Sequence, residues 1–366
     1  MDKAHITFMQ RALVLAKQAK GRTSPNPLVG TVIVKDGTVI GEGYHQKAGT
    51  AHAEVHALNA AGENAKGATL YTNLEPCCHW GRTPPCTAAV IQAGIANVYI
   101  AEVDPNPSVA GKGVRQLEEA NIRVHVGICT HEAAELNEVH KKYIQTGLPF
   151  VVLKTAMSLD GKIATTAGES QWITSEASRL RGHEIRDEVD AILVGKGTVE
   201  RDNPSLTTRL QDREGQDATR IVLDSHGRTP TDARIFNVES STGVIVAVTP
   251  DAPMANIKAL EKAGAEVLTT PAAHGKVCFM NLMETLGKRE ITSVLIEGGG
   301  EINASAIAAG IVDKVMCFVA PKLIGGRNAP GPIGGEGVPT LKDVPHLQRI
   351  RITPMPDDDF LIEGYL

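Results

Sequence analysis

The feature that most constrains this chain is a set of three metal-ligand residues that must converge from distant positions. They are His52, Cys77 and Cys86, with Glu54 two residues beyond the histidine and Pro76 just before the first cysteine. One imidazole and two thiolates make a three-ligand zinc set. A zinc held by three protein ligands keeps a fourth position for water, whose pKa it lowers to about 7. Glu54 is left over as a carboxylate able to carry that water's proton. Helix geometry then restricts the fold. Positions i and i+2 of a helix point about 200° apart, so both face one site only where the chain enters a helix. Gly49-Thr50-Ala51 suits such a start. Segments 49–54 and 75–86 are therefore expected to meet on one ion.

Two other readings of these residues compete. His52 and His56 are four apart, as in the zinc-protease pattern H-E-x-x-H, but here Glu54 follows the first histidine by two positions rather than one. His56 then reads as a packing residue on a helix face. A closed structural zinc would need a fourth ligand. Cys78 is poorly suited to supply it, because adjacent residues rarely both reach one tetrahedral ion. Cys129, Cys278 and Cys317 lie in apolar stretches and read as inert buried thiols. The order H-x-E then P-C is that of the zinc-dependent nucleobase deaminases.

Composition sets the frame. A length of 366 residues suggests two domains. With 42% hydrophobic and 22% charged residues, the chain is ordinary for a soluble globular protein, which excludes disorder, collagen and coiled coil as the main architecture. Eight of the twelve histidines and four of the six cysteines fall in residues 1–147. That part carries 14 basic and 13 acidic residues, the remainder 23 and 29. Neither part has a nucleic-acid footprint. No run of 18 apolar residues offers a membrane span. Asp2, Arg11, Lys17 and Lys20 interrupt the first twenty residues, so a signal peptide is not expected. Clustered cysteines in such a chain suggest a reducing cytoplasm.

Periodicity predicts an amphipathic helix over 5–19, then strands 30–35 and 39–44 joined by Asp36-Gly37. Helix 53–61, strand 68–74, helix 85–93, strand 97–103, helix 112–120, strand 122–126 and helix 131–146 follow. Thr146-Gly147-Leu148-Pro149 breaks this alternation and sets the expected domains at 1–147 and 148–366. Beyond it, strand 150–161, helix 176–188, strands 190–195, 219–224 and 243–248, helix 254–263, strand 266–269, helix 277–286, strand 292–296, helix 301–309 and strand 313–319 are expected. Strands near 347–353 and 360–365 close the chain, and the Gly- and Pro-rich stretch 325–339 reads as a loop. Alternating strands and helices mean α/β layers throughout. No G-x-G-x-x-G follows a strand in the second part, and Gly195-Lys196-Gly197 is a weak signal. Strand 292–296 running into Glu297-Gly298-Gly299-Gly300 is either a phosphate cradle of backbone N–H groups or a tight turn.

Longer strings add to these readings: Pro25 through Gly30, Gly43-Tyr44-His45, His52 through Ala57, Leu74 through Cys77 with Cys86, Asp104 through Pro107, Ser158 through Gly161, and Gly168 through Thr174. With them the chain resembles, over essentially its whole length, the bifunctional deaminase–reductases of riboflavin biosynthesis. Cys78 stands where that family usually has serine. The resemblance implies an N-terminal cytidine-deaminase-like three-layer α/β/α domain and a C-terminal dihydrofolate-reductase-like α/β domain. It implies zinc-dependent deamination of 2,5-diamino-6-(5-phosphoribosylamino)pyrimidin-4(3H)-one, then NADPH-dependent reduction to 5-amino-6-(5-phosphoribitylamino)uracil. Glu54 would protonate the ring nitrogen and then the amine, and Asn26, His45, His79 and Arg82 would line the pocket.

In the second domain the resemblance implies cofactor contacts at Ala156, Trp172, Thr198, Asp202, Ser225 and Gly299. It implies substrate contacts at Ser170, Arg186, Leu206, Arg209 and Glu297, with Lys154 near the reacting sugar. Two arginines suit a phosphate, which guanidinium forks bind bidentately. The choice of NADPH over NADH rests on the resemblance alone. One alternative is another zinc nucleobase or tRNA deaminase with an unrelated C-terminal domain, although a tRNA enzyme should be more basic. A non-catalytic zinc-stabilised binding protein is a third reading, and it leaves Glu54 without a role. The expected partners are small phosphoribosyl pyrimidines, with a homodimer or higher homo-oligomer compatible with the chain.

Overall fold

A computed structural model describes residues 3–81, 84–107 and 109–366. The chain divides into two compact units, Met1–Gly147 and Leu148–Leu366.

In the first unit α1 (Lys3–Lys17) leads into β1 (Gly30–Lys35) and β2 (Thr38–Tyr44). Asp36 and Gly37 both take positive φ, 50° and 77°, the two-residue turn whose twist matches a hairpin. Then come α2 (Ala53–Ala61), β3 (Thr69–Leu74), α3 (Cys86–Gln92), β4 (Asn97–Glu102), α4 (Lys112–Glu119), β5 (Arg123–Val126), α5 (Thr130–Leu136) and α6 (Glu138–Thr146). The sheet order is β2-β1-β3-β4-β5, antiparallel on both sides of β1 and parallel from β3 onward. Alternate side chains of β1 enter different cores. Ile33 joins Ala57, Val90 and Leu117 from α2, α3 and α4. Val32 and Val34 join Met9, Ala12, Leu13 and Ala133 from α1 and α5. The sheet is thus sandwiched between two helix layers, the three-layer arrangement the resemblance implies.

Glycine lets α2 lie close to β2. A Cβ on Gly43 would stand 2.4 Å from the His56 Cβ and 2.7 Å from the Ala53 carbonyl oxygen. One expectation is corrected here. The single helix 131–146 is two helices divided at Asn137, whose φ is −106°. The buried Asn137 amide is engaged elsewhere: its Oδ1 accepts from the Leu28 N–H at 2.8 Å and its Nδ2 donates to the Leu28 carbonyl at 3.0 Å.

The second unit comprises β6 (Phe150–Ser158), α7 (Glu176–Glu188), β7 (Ala191–Gly195), α8 (Lys196–Asp202), β8 (Thr219–Leu223), β9 (Val244–Val248), α9 (Met254–Lys262) and β10 (Ala265–Thr269). A two-residue hairpin, β11 (Ala272–Ala273) and β12 (Lys276–Val277), precedes α10 (Phe279–Lys288), β13 (Ser293–Ile296), α11 (Gly300–Ala308), β14 (Lys314–Ala320), β15 (Gln348–Pro354) and β16 (Phe360–Tyr365). Nine strands form one sheet, ordered β10-β9-β8-β7-β13-β6-β14-β16-β15. Only β16 runs against the others. The central strands are almost wholly apolar, as buried parallel strands must be.

Helix α8 is absent from the sequence-based reading, because seven residues capped by a glycine leave too little periodicity to register. Loop 325–339 packs on α11. There the Gly334 N–H donates to the Gly300 carbonyl at 3.0 Å, and the Asn303 amide donates to the Pro332 carbonyl at 2.8 Å. Cys129, Cys278 and Cys317 are half-buried rather than buried. Among the described residues, no helix is long and apolar enough to cross a membrane.

Candidate active sites

In the first unit two helix starts meet. His52 is the N-cap residue of α2, with extended backbone at φ −78° and ψ 166°, and Glu54 follows in the first turn. Cys86 opens α3, and its backbone N–H donates to Cys77 Sγ at 3.4 Å. The Cys86 Sγ lies 3.1 Å from His52 Nδ1 and the Cys77 Sγ 3.6 Å from it. The ligand atoms of His52, Cys77 and Cys86 all lie within 4.8 Å of one another. Cys78 is not in this group. The Cys86 thiol donates to Cys77 and, with His52, holds the Cys77 thiol down at about 4, while Cys86 is pushed up. Two thiolates and an imidazole on one small volume fit a zinc ion. Glu54 is buried, and burial followed by the charge of Cys77 raises its carboxyl above the usual range.

A second layer holds these loops. Glu75 is buried, and its carboxylate accepts from the backbone N–H groups of Asp104 at 3.2 Å, Gly111 at 2.9 Å and Val114 at 3.0 Å. This ties the strand end before Pro76-Cys77 to the start of α4. Gly113 permits the approach, since a Cβ there would stand 2.3 Å from the Pro76 carbonyl oxygen. His45 is buried, with Nδ1 3.2 Å from the Ala51 carbonyl and Nε2 3.1 Å from the Asn26 amide nitrogen. A carbonyl can only accept, so Nδ1 carries the proton and Nε2 accepts from Asn26. Burial lowers the His45 pKa and keeps the ring neutral. The Asn26 carbonyl oxygen is left for other partners. Burial holds the Asp104 carboxyl up at about 6.

In the second unit the candidate residues cluster at the carboxyl ends of parallel strands, the usual ligand edge of such sheets. Glu297 follows β13 and is largely buried. Its carboxylate accepts from Arg186 Nε and Nη2, both at 2.8 Å, and Lys154 Nζ lies 3.7 Å away. Burial alone would raise this carboxyl, but Arg186 and Lys154 more than offset it and hold it at about 2. The third arm of Arg186, Nη1, donates to the Thr207 carbonyl at 3.2 Å. Gly299 caps α11 with extended backbone and open space around its Cα. At the end of neighbouring β7, Gly195 admits Ile302 of α11, which a Cβ would meet at 2.7 Å. Helix start and glycine-lined strand ends together fit a dinucleotide phosphate.

Comparison with known proteins covers both halves. Residues 149–358 match the model of the RibD C-terminal domain, and residues 2–102 match that of the cytidine and deoxycytidylate deaminase zinc-binding region. The riboflavin biosynthesis protein RibD of Actinobacillus pleuropneumoniae is 43% identical over 98% of this chain and 94% of its own length. The chain belongs to the RibD family. A structure of RibD from Acinetobacter baumannii superposes with a TM-score of 0.87 at 37% identity, covering 99% of each chain. That of the Thermotoga maritima diaminohydroxyphosphoribosylaminopyrimidine deaminase/5-amino-6-(5-phosphoribosylamino)uracil reductase does so with 0.85 at 36% identity, over 99% of this chain and 98% of that one. As a RibD, this is a bifunctional riboflavin-biosynthesis enzyme, a deaminase joined to a reductase, with a cytidine-deaminase-like first fold and a dihydrofolate-reductase-like second one.

Of the residues marked for the RibD deaminase pocket, Asn26 and His45 are paired and His45 stands edge-on to His52, ring centroids 5.1 Å apart. His79 is exposed, and Arg82 lies outside the described residues. In the reductase, Lys154, Arg186 and Glu297 form one charge cluster. Trp172 is exposed with the Arg179 guanidinium 4.6 Å from its ring centroid, so it is not a core residue. Ala156 lies in β6 two residues before its end, Thr198 and Asp202 sit on α8, and Ser225 follows β8. Ser170 precedes α7, and Leu206 and Arg209 share the loop after α8. Glu75 and Asp104 lie within strings that carry the resemblance but are given no role in the sequence, and His183 is not singled out there; only long-range contacts reveal what each touches.

Proposed function

We propose that His52, Cys77 and Cys86 hold the catalytic zinc of the RibD deaminase and that Glu54 is its proton carrier. The observation that carries this reading is the convergence of three ligand atoms beside one buried carboxyl. When bound, zinc supplies an activated water at neutral pH. Glu54 accepts a proton from the attacking water and gives it to the pyrimidine ring nitrogen; it then takes the second proton from the new C2 hydroxyl and delivers it to the amine, so that the C2–N bond breaks, ammonia leaves and the C2 carbonyl forms. A carboxyl already raised by burial is suited to holding each of these protons in transit. Asn26, oriented by His45, offers its carbonyl oxygen to the base edge.

In the second unit NADPH supplies the reducing equivalents. Gly299 and the α11 start bind its phosphates, and Ala156, Trp172, Thr198, Asp202 and Ser225 complete that contact surface. Lys154, held near Glu297, donates a proton to the sugar oxygen that becomes a hydroxyl as the ribosyl ring opens. Arg209 takes the substrate phosphate, with Ser170 and Leu206 beside it. Arg186 spends its fork on Glu297 and therefore orients that carboxylate as much as it binds substrate. The substrates are small phosphoribosyl pyrimidines, and the enzyme works in the cytoplasm. Incubation with the diaminopyrimidine phosphoribosyl substrate tests the whole reading by mass. Without NADPH an amino group should be replaced by oxygen, and with NADPH two hydrogens should also be gained. An unchanged mass in the zinc-loaded enzyme would overturn it.

A further inference from the structure

His183 lies on α7, one turn before Arg186, and both its ring nitrogens face a single residue. Nδ1 stands 3.3 Å from the Arg209 backbone nitrogen and Nε2 3.3 Å from Arg209 Nη2. The other end of the guanidinium, Nη1, donates to Ser205 Oγ at 3.1 Å and to Thr207 Oγ1 at 2.9 Å. Between those hydroxyls, Leu206 is buried in left-handed backbone at φ 55°, and Ser205 Oγ and Thr207 Oγ1 lie 3.2 Å apart. Among the described residues, every side-chain acceptor hydrogen-bonded to Arg209 is therefore neutral, and the Asp217 carboxylate acts on it only through its field. Its neighbours differ: Arg186 is paired with Glu297 and Arg213 with Asp187. Arg209 is exposed, pinned in place, and keeps its charge for an incoming group.

We propose that His183 is a positioning residue of the reductase, a neutral acceptor that holds the Arg209 guanidinium in place for the substrate phosphate. The inference rests on the reading of Arg209 as the phosphate contact. A neutral imidazole has one lone pair to offer, and either tautomer offers it to Arg209. With Nδ1 unprotonated the ring takes the backbone N–H; with Nε2 unprotonated it takes the guanidinium. A protonated ring would hold neither. Burial, then the charges of Arg186 and Arg209, keep the His183 pKa down at about 4, so the ring is neutral where the enzyme works. A carboxylate in the same place would also accept, but it would neutralise the charge the phosphate needs.

The test uses the full-length enzyme, NADPH and the deaminated phosphoribosyl substrate. His183→Phe should raise KM about tenfold, the usual order for loss of one charge-assisted contact, with kcat held. His183→Gln, a neutral acceptor, should stay within about twofold of the parent, whereas His183→Glu should not. Adding His183→Phe to Arg209→Ala should raise KM no further than Arg209→Ala alone, because the histidine acts through the arginine. If Arg209→Ala leaves KM unchanged, the phosphate reading falls and this inference with it. If Arg209→Ala raises KM but His183→Phe does not, or the two effects multiply, the inference alone is overturned. Should His183→Phe fail to fold, His183→Ala removes the acceptor without overpacking and carries the same outcomes.

Discussion

In the first unit three ligand atoms and one carboxyl are gathered at the starts of two helices, α2 and α3, with their strands holding those starts in place. In the second unit the candidate groups come from the ends of β6, β7, β8 and β13, from α7 and from the loop after α8. The first arrangement concentrates reactivity in a few irreplaceable atoms. The second distributes it over backbone, glycines and an internally balanced charge cluster, leaving the hard chemistry to a nicotinamide. A single substitution should therefore silence the first site without unfolding it, whereas in the second site the same kind of change should act on stability as well as on rate.

Glu54→Gln is the largest effect expected. It keeps shape and burial, leaves His52, Cys77 and Cys86 untouched, and removes the proton carrier. Deamination should fall by about 10²–10⁴, the range general acid–base groups contribute, while zinc content by elemental analysis stays near one per chain. NADPH oxidation with ready-made deaminated substrate should be unaffected. Retained ammonia release in this variant would break the contrast, because Glu54 is the buried carboxyl that meets the Cys86 thiol.

Glu297→Gln probes the other side. It leaves Arg186, with its guanidinium largely enclosed, without its carboxylate. Breaking one partner of such a pair costs about 3–5 kcal/mol. Thermal unfolding should show the loss in the reductase transition. The acid dependence sharpens this. The carboxyl sits at about 2 in the folded protein against an ordinary 4.5. A depressed folded pKa gives stability that is fully present above the unfolded value and is lost as pH falls from about 4.5 toward about 2. The parent should therefore lose its advantage over Glu297→Gln across that window. Two melting curves that stay equally far apart down to pH 2 would show that Glu297 is not held ionised by Arg186 and Lys154.

The same contrast explains what was legible in the sequence. His52, Cys77 and Cys86 could be read because few residue types bind zinc and their chemistry fixes which partners they need. The hairpin at Asp36-Gly37 and the alternation of the strands could be read because turn geometry and burial act locally. Glu75 could not. A carboxylate that accepts three backbone N–H groups looks, in one dimension, like any surface glutamate. His183 and Arg209 are 26 positions apart and meet only through the packing of α7 on the following loop. The family strings point to candidate reductase contacts, but only the fold shows that Arg186 is committed to Glu297.

Asn137 offers the smallest effect and the sharpest test of why periodicity failed there. Residues 131–146 carry helical spacing throughout, yet the chain breaks where one buried amide bonds both the N–H and the carbonyl of Leu28, in the segment just before β1. In Asn137→Ala the local preference for continuous helix no longer opposes a tertiary bond, because alanine is the stronger helix former and has no amide to give. The Leu28 carbonyl keeps the Asn73 amide at 2.9 Å, so the cost falls on the orphaned Leu28 N–H, about 1–3 kcal/mol when water reaches it incompletely. Amide exchange at Leu28 should rise, and exchange at Glu138 and Val139 should slow if α5 and α6 fuse. Faster exchange at all three positions would mean that the break is set by the turn itself and that Asn137 merely fills it.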